Sequence, residues 1–339
     1  MAHIRGMRIG IFGAGAIGGF VGGRLAASGA DVVLLGRRPL RGIETIDIDG
    51  TTKRADVAVT TDPAALASCD VVLVCVKSAQ TSEAAETLSK IVGPATIVAS
   101  MQNGVRNADV LRERLPNVLG GIVGFNVVSK GEGIFRRATS GPLVVEDREG
   151  APPIVDAFVR AGFEAFAERD IQAMQWSKLI MNLNNAVSAL SNAPTREIVL
   201  TPGYRKCVAA IVIEALDVMR AANIRPKRIG PLPVGVFPYA LRLPTPLIQI
   251  VARAQLKIDP EARSSMWEDL ERKRHTEVDF LNGEIVRLAK SIGQAAPINA
   301  RVVELVHEVE ARREGSPKMS PSELWRALHS SDVARTPGA

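Results

Sequence analysis

Along the first half of the chain, short β-branched and aliphatic runs alternate with stretches whose apolar positions recur every three to four residues. That is the pattern of a parallel sheet with crossover helices. The runs predict strands at 8–12, 31–35, 70–76 and 96–99, and residues 16–28 predict the first helix. Between the second and third of these strands, 43–48 and 54–59 flank Asp49-Gly50, a dipeptide suited to a hairpin turn. From Asn117 to Val145, glycine-punctuated β segments predict an antiparallel extension of the same sheet, and this domain is expected to end near Asp170.

From Ile171 onward the period is helical, with helices predicted over 172–190, 204–222, 265–292 and 300–310. Residues 225–260 are proline-rich but apolar, which predicts a wrapping or interface segment with one short helix at 247–255. A last helix is expected at 321–329. The pattern therefore gives an α/β domain built on a parallel sheet over 1–170, an all-helical domain over 171–330 and a disordered tail over 331–339.

Composition removes several classes of function. Of 339 residues, 46% are hydrophobic and 23% charged, and no apolar run approaches a membrane span, so a soluble chain without membrane partners is expected. The short polar start, Met1 to Gly6, shows no secretory signal, which makes the cytoplasm the expected address. Cys69, Cys75 and Cys207 form no C-x-x-C pair and read as core thiols, and the four histidines lack metal-ligand spacing. The net charge of +6 is dispersed and aromatics are only 4%, so the excess suits anionic small molecules or solubility and no nucleic-acid partner is expected. Oligomeric state stays open, with a homodimer compatible with the apolar helical half.

Candidate chemistry begins at Gly13-Ala14-Gly15-Ala16-Ile17-Gly18, a G-x-G-x-x-G between an apolar strand and a helix. Such a loop needs a tight turn at Gly13, backbone approach to a pyrophosphate at Gly15 and close helix-to-strand packing at Gly18. The second strand ends Leu35-Gly36-Arg37-Arg38, with no acidic residue to hold a free ribose 2′-hydroxyl. Arg37 can pair with a 2′-phosphate instead, which favours NADP. Lys77 follows the strand ending Val74-Cys75-Val76 at the carboxyl edge of the sheet, as a cofactor contact or an exposed strand-end lysine. Asn103 in Gln102-Asn103-Gly104 either presents its amide to nicotinamide or substrate, or only turns a loop.

Further on, Trp176-Ser177-Lys178-Leu179-Ile180-Met181-Asn182-Leu183-Asn184-Asn185 reads as a helix. At 100° per residue, Lys178, Asn182 and Asn185 fall within about 60° of one another, and Trp176, Leu179, Ile180 and Leu183 occupy another arc. One face is apolar core, and the other carries a cation flanked by amides. It suits a cleft better than an ordinary surface face of Glu, Lys and Arg.

In this order, these residues resemble the ketopantoate reductase (2-dehydropantoate 2-reductase) family. The likeness also takes in Trp176-x-Lys178-Leu179-x-x-Asn182, Arg263-Ser264-Ser265-Met266-x-x-Asp269 and Thr276-Glu277-x-Asp279-x-x-Asn282-Gly283. The resemblance implies a Rossmann-type domain followed by a helical domain like that of 6-phosphogluconate dehydrogenase, and NADPH-dependent reduction of ketopantoate to pantoate in pantothenate synthesis. It implies Lys178 as general acid with Glu277 beside it, Asn182 and Asn103 on the substrate, and Ser265 on the substrate carboxylate. The family's second substrate-side asparagine usually stands eight residues after the lysine, where this chain has Ala186. Asn185, on the face of Lys178, is chosen over Asn184 to replace it. A different 2-oxo acid substrate, or a non-catalytic NADP-sensing protein, are the alternatives.

Ser265 with Glu268 also fits a helix capping box, and Glu277 could pair with Lys273 or Arg274 on its own helix. A straight helix would hold Ser265 and Glu277 about 18 Å apart, too far for one small substrate to reach both.

Overall fold

The strands are β1 (Arg8–Phe12), β2 (Asp31–Leu35), β3 (Leu40–Ile46), β4 (Thr52–Thr60), β5 (Val71–Val74), β6 (Ile97–Ser100), β7 (Val118–Val123), β8 (Val127–Gly131), β9 (Ile134–Arg137), β10 (Leu143–Glu146) and β11 (Ala165–Glu168). They form one sheet in the order β11-β10-β7-β6-β5-β1-β2-β4-β3-β9-β8. Its centre, β7-β6-β5-β1-β2, is parallel throughout. After β1 the chain builds β2 on one side, and β5 then pairs with β1 on the other. That reversal leaves a crevice at the carboxyl ends of β1 and β5, where open α/β sheets bind ligands.

The computed structural model describes residues 6–228, 233–251 and 262–330. The expected tail at 331–339 and the end of the 247–255 helix lie outside the described residues. The chain divides into two units, Met1–Trp176 and Ser177–Ala339.

In the first unit the sheet is covered by α1 (Ala16–Ala27), α2 (Thr81–Ile91), α3 (Asn107–Arg112) and α4 (Ala151–Arg160). Alternation along β5 shows why both faces must be covered. Val71 and Leu73 join a core with Phe20 and Leu25 of α1 and Ile154 and Phe158 of α4, whereas Val72 and Val74 join Ala84 and Leu88 of α2 and Leu111 of α3. Asp49-Gly50 does turn a hairpin, between antiparallel β3 and β4. The segment 117–145 departs from the expected single antiparallel extension. Its first strand, β7, is parallel to β6 and β10 is antiparallel to β7, but β8 and β9 cross to the opposite edge, where β9 pairs with β3.

The helix expected over 172–190 is two helices, α5 (Ile171–Asn182) and α6 (Asn184–Ser191). At the junction the Leu183 N–H bonds to Ile180 O at 3.3 Å, a tighter three-residue step where asparagines, modest helix formers, crowd the sequence. The boundary between the two units falls inside α5. Beyond it lie α7 (Thr195–Leu200), α8 (Pro202–Ala221), α9 (Phe237–Ala240), α10 (Thr245–Val251), α11 (Ser265–Glu271), α12 (Asn282–Ser291), α13 (Pro297–Arg312) and α14 (Pro321–His329). The buried face of α8 carries Cys207, Ile211, Val212, Ala215 and Met219. Buried Arg205 on the same helix donates to the carbonyls of Val199, Leu241 and Leu243, which ties the proline-rich segment down as a wrap.

The single helix expected over 265–292 is also interrupted. Lys273 takes φ +54°, Lys273 N–H bonds to Leu270 O at 2.9 Å and Arg274 N–H to Asp269 O at 2.8 Å, which is a Schellman end. A non-helical stretch and a short 3₁₀ turn at Val278–Phe280 follow before α12 begins. The 18 Å separation therefore does not apply, and neither does a same-helix pairing of Glu277 with Lys273 (i,i+4) or Arg274 (i,i+3).

Candidate active site

The glycine loop has the geometry that its sequence demands. Gly13 sits at φ +109°, and a Cβ there would stand 2.7 Å from Val76 Cγ1 and 3.0 Å from Val76 N. At Gly18 a Cβ would meet Gly13 O at 2.1 Å, so no side chain fits between α1 and the loop. Gly15 is exposed, and a Cβ there would meet nothing within 4 Å. It is the N-cap of α1, without a side-chain cap bond and with no acidic residue in the first turn. The first N–H groups of α1, around half-buried Ala16 and Ile17, are thus left for an anion, and a dinucleotide pyrophosphate fits that cradle. Gly13 and Ala14 N–H both bond to Leu35 O, at 3.0 and 2.8 Å, which fixes the loop to the end of β2. Arg37, two residues beyond Leu35, is exposed.

Lys77 and Asn103, both half-buried, follow β5 and β6 at the carboxyl edge of the sheet. A buried polar network joins the two loops that carry them. Gln102 Nε2 donates to Val76 O at 3.1 Å and to Thr81 Oγ1 at 2.8 Å, and its Oε1 accepts from Ser100 Oγ at 3.0 Å. Thr81 Oγ1 donates to Asn107 Oδ1, while Asn107 Nδ2 donates to Ser78 Oγ and to Asn103 O. Ser78 Oγ donates to Asn103 O at 2.8 Å. Ser78, Thr81, Ser100, Gln102 and Asn107 are all buried, and each lost partner would leave a buried polar group unsatisfied at a cost of about 1–3 kcal/mol. Sequence reasoning missed this network, because its members lie up to 29 residues apart.

In the second unit, Lys178 and Asn182 share one face of α5, four residues apart. Trp176, Leu179 and Ile180 are buried on the other arc, as the periodicity predicts. Lys178 is a half-buried residue whose pKa falls from 10.5 to about 8, because burial disfavours the ammonium while the nearby Glu277 carboxylate partly restores it. Glu277, half-buried, stands in the non-helical stretch before the 3₁₀ turn. The structure thus brings Glu277 within electrostatic reach of Lys178.

The remaining candidates lie in α6 and at the start of α11. Asn185 lies past the junction at Leu183, in α6, and its backbone carbonyl accepts from Ser264 Oγ at 3.0 Å. Ala186 is fully buried. Ser264, not Ser265, caps α11, accepting from Trp267 N–H at 3.1 Å, and Glu268 pairs with Arg272 at 2.6 Å instead of closing a capping box. Ser265 is exposed at the first position of that helix. The block around Ser264 docks on α6, with Arg263 Nε donating to Asn192 O at 3.0 Å and Trp267 Nε1 to Asn192 Oδ1 at 2.7 Å.

Burial pushes the thiols of Cys69 and Cys207 up to about 11 and that of Cys75 to about 12, so all three are poor nucleophiles. Among the described residues there is no cluster of side chains that could hold a metal ion, and no helix long and apolar enough to cross a membrane.

Comparison with known proteins matches both parts of the chain. The family model Ketopantoate reductase PanE/ApbA covers residues 9–150, and Ketopantoate reductase PanE/ApbA C terminal covers 170–310. A 2-dehydropantoate 2-reductase of Halobacterium salinarum is 30% identical, over 91% of this chain and 100% of its own. The crystal structure of a PanE/ApbA family ketopantoate reductase from Ralstonia eutropha superposes with a TM-score of 0.79 at 30% identity, again over 91% of this chain and 100% of that one. D-mandelate dehydrogenase with NADH and anilino(oxo)acetate shares the fold at a TM-score of 0.74 and 22% identity, over 91% and 99% of the two chains. With both family models matched in order along the Rossmann-type and helical parts, the chain belongs to the ketopantoate reductase family.

Proposed function

We propose that this protein reduces 2-dehydropantoate to pantoate with NADPH, as a step of pantothenate synthesis, and that Lys178 is its general acid. The observation that carries this reading is the placement of half-buried Lys178 one turn from Asn182 on α5, with the Glu277 carboxylate close enough to act on its charge. Reduction of a ketone places negative charge on the carbonyl oxygen, and a cation with a transferable proton both stabilises that charge and completes the alcohol. An ordinary lysine near 10.5 gives up its proton reluctantly at neutral pH. A value of about 8 keeps Lys178 mostly charged at pH 7 yet ready to donate.

When bound, NADPH supplies the hydride. Gly13, Gly15, Ala16, Ile17 and Gly18 would hold its pyrophosphate at the N-terminus of α1, Arg37 its 2′-phosphate, and Lys77 and Asn103 its nicotinamide side. Asn182, one turn along α5 from Lys178, would hydrogen-bond the substrate, with Asn103, Asn185 and Ser265 as further substrate contacts. The buried Gln102–Asn107 network supports this assignment by fixing the backbone of Asn103.

Buried Ala186 favours a second reading, in which the same chemistry acts on another 2-oxo acid: the family's usual asparagine position offers no polar group here. Consumption of reduced nicotinamide by purified protein, given NADPH or NADH with ketopantoate and a panel of 2-oxo acids, decides between them. Fast turnover confined to NADPH and ketopantoate is expected, and turnover of another panel member alone selects the second reading. Cofactor binding with no turnover at all would instead select a sensor.

A homodimer is supported by the concentration of exposed apolar side chains between 236 and 250, where Val236, Tyr239, Leu247 and Ile250 all lie open. Light scattering tests it.

A further inference from the structure

Glu277 stands between α11 and α12 in a stretch whose own bonds are short-range, Phe280 N–H to Glu277 O at 3.0 Å and Val278 N–H to Thr276 Oγ1 at 3.2 Å, and that stretch is fastened to α13. Glu310 Oε1 accepts from Thr276 N–H at 2.7 Å, and Glu310 Oε2 meets His275 Nδ1 at 3.1 Å. One turn earlier on the same helix, His307 Nε2 meets Asp279 Oδ2 at 3.1 Å. The residues on either side of Glu277 are thus gripped by two residues of one helix face. Upstream, Glu271 Oε1 accepts from Ser316 N–H at 3.0 Å, just beyond α13.

These bonds differ in worth. The His275 side chain is 95% exposed and those of His307 and Asp279 about half exposed, so both imidazole contacts compete with water. The Glu310 side chain is only 10% exposed and Thr276 8%, so the charge-assisted bond between them is shielded. Burial alone would raise the Glu310 pKa, yet the bonds from Thr276 and His275 outweigh it and hold the carboxylate below its usual range. The helix itself is a firm anchor. Val302, Leu305, Val306 and Val309 are buried, and Glu214 of α8 accepts from Ile298 and Asn299 N–H at 2.8 and 2.7 Å at its start.

We propose that Glu310 is a positioning residue for catalysis: through Thr276 it sets where the Glu277 carboxylate stands relative to the Lys178 ammonium. The proposal rests on the reading of Lys178 and Glu277 given above. Glu310 touches neither reacting group, so its removal acts by letting the Thr276-Glu277 backbone drift. Displacements of about 1 Å at a catalytic group can reduce rate on the order of a hundredfold. With Glu277 displaced, Lys178 loses the charge that opposes its desolvation, and its proton leaves at lower pH.

The test compares Glu310→Ala, Glu310→Gln, Glu277→Gln and the Glu277→Gln/Glu310→Ala double variant by kcat against pH, NADPH affinity and Tm. Expected for Glu310→Ala are a kcat lowered on the order of tenfold or more, an NADPH affinity within about twofold of wild type, and an alkaline limb moved to lower pH. The double variant should be no slower than Glu277→Gln alone, because both changes remove one effect. Glu310→Gln keeps an acceptor for Thr276 and should fold if the alanine variant does not, with a smaller shift of the same sign. A lower Tm with an unmoved alkaline limb, or multiplicative losses in the double variant, would make Glu310 merely structural and overturn the proposal. Wild-type kcat and pH dependence in Glu277→Gln would overturn the underlying catalytic reading, whatever Glu310 does.

Discussion

A Cβ placed on Gly18 would stand 2.1 Å from the carbonyl oxygen of Gly13. The oxygen belongs to backbone held by β1 and by the bond from Gly13 N–H to Leu35 O, so it cannot retreat without opening the loop. Gly18→Ala should therefore move the loop and α1 apart, weaken NADPH binding by at least tenfold and lower Tm. Fluorescence titration of the reduced cofactor checks the first effect, and tight binding by the alanine variant would show that the loop does not hold the cofactor.

Lys178→Met removes the proposed acid but leaves the apolar stem. Loss of a general acid commonly costs a hundredfold to ten-thousandfold in rate, so kcat should fall on the order of a thousandfold with NADPH affinity unchanged. The pH dependence has a defined sign. If Lys178 is the acid, its ammonium is the active form, and with a pKa lowered to about 8 chiefly by burial, kcat in the wild type should decline as pH rises through about 8. A kcat flat from pH 6 to 10 with saturating substrate would remove lysine from proton transfer.

Arg37 is exposed two residues beyond the β2 carbonyl that anchors the glycine loop, so truncating it should barely affect stability. If it pairs with the 2′-phosphate, Arg37→Ala forfeits a charged hydrogen bond of about 1.5–3 kcal/mol and the NADPH KM should rise on the order of tenfold or more. The NADH KM should stay where it was. Equal loss for both cofactors would assign Arg37 to a contact they share.

Much of the scaffold could be read locally. The spans of β1, β2 and α14 follow from patterns contained within a few residues, and Asp49-Gly50 announces its own turn. Lys178 and Asn182 were legible for the same reason, being one turn apart on a single helix. What stayed hidden depends on distant partners or on weak local signals. The end of α11 at Lys273 uses a left-handed residue that is not glycine, and the step at Leu183 replaces a four-residue hydrogen bond by a three-residue one. Glu310 acts on Thr276 across 34 residues, and Asn107 on Ser78 across 29. No periodicity within a segment encodes such pairs.

Two adjacent serines give the sharpest separation of structure from function. Ser264 Oγ both caps α11 and donates to Asn185 O, while Ser265 is exposed and takes no part in the cap. Ser264→Ala should lower stability by about 1 kcal/mol or somewhat more, since a cap and a bond between helices are lost together. Ser265→Ala should leave Tm unchanged. If Ser265 binds the substrate carboxylate, that variant raises the KM for the 2-oxo acid several-fold at constant NADPH affinity. Thermal unfolding and steady-state kinetics on the two variants give four values, and an unaltered KM for Ser265→Ala would leave substrate anchoring to the asparagines of α5 and α6.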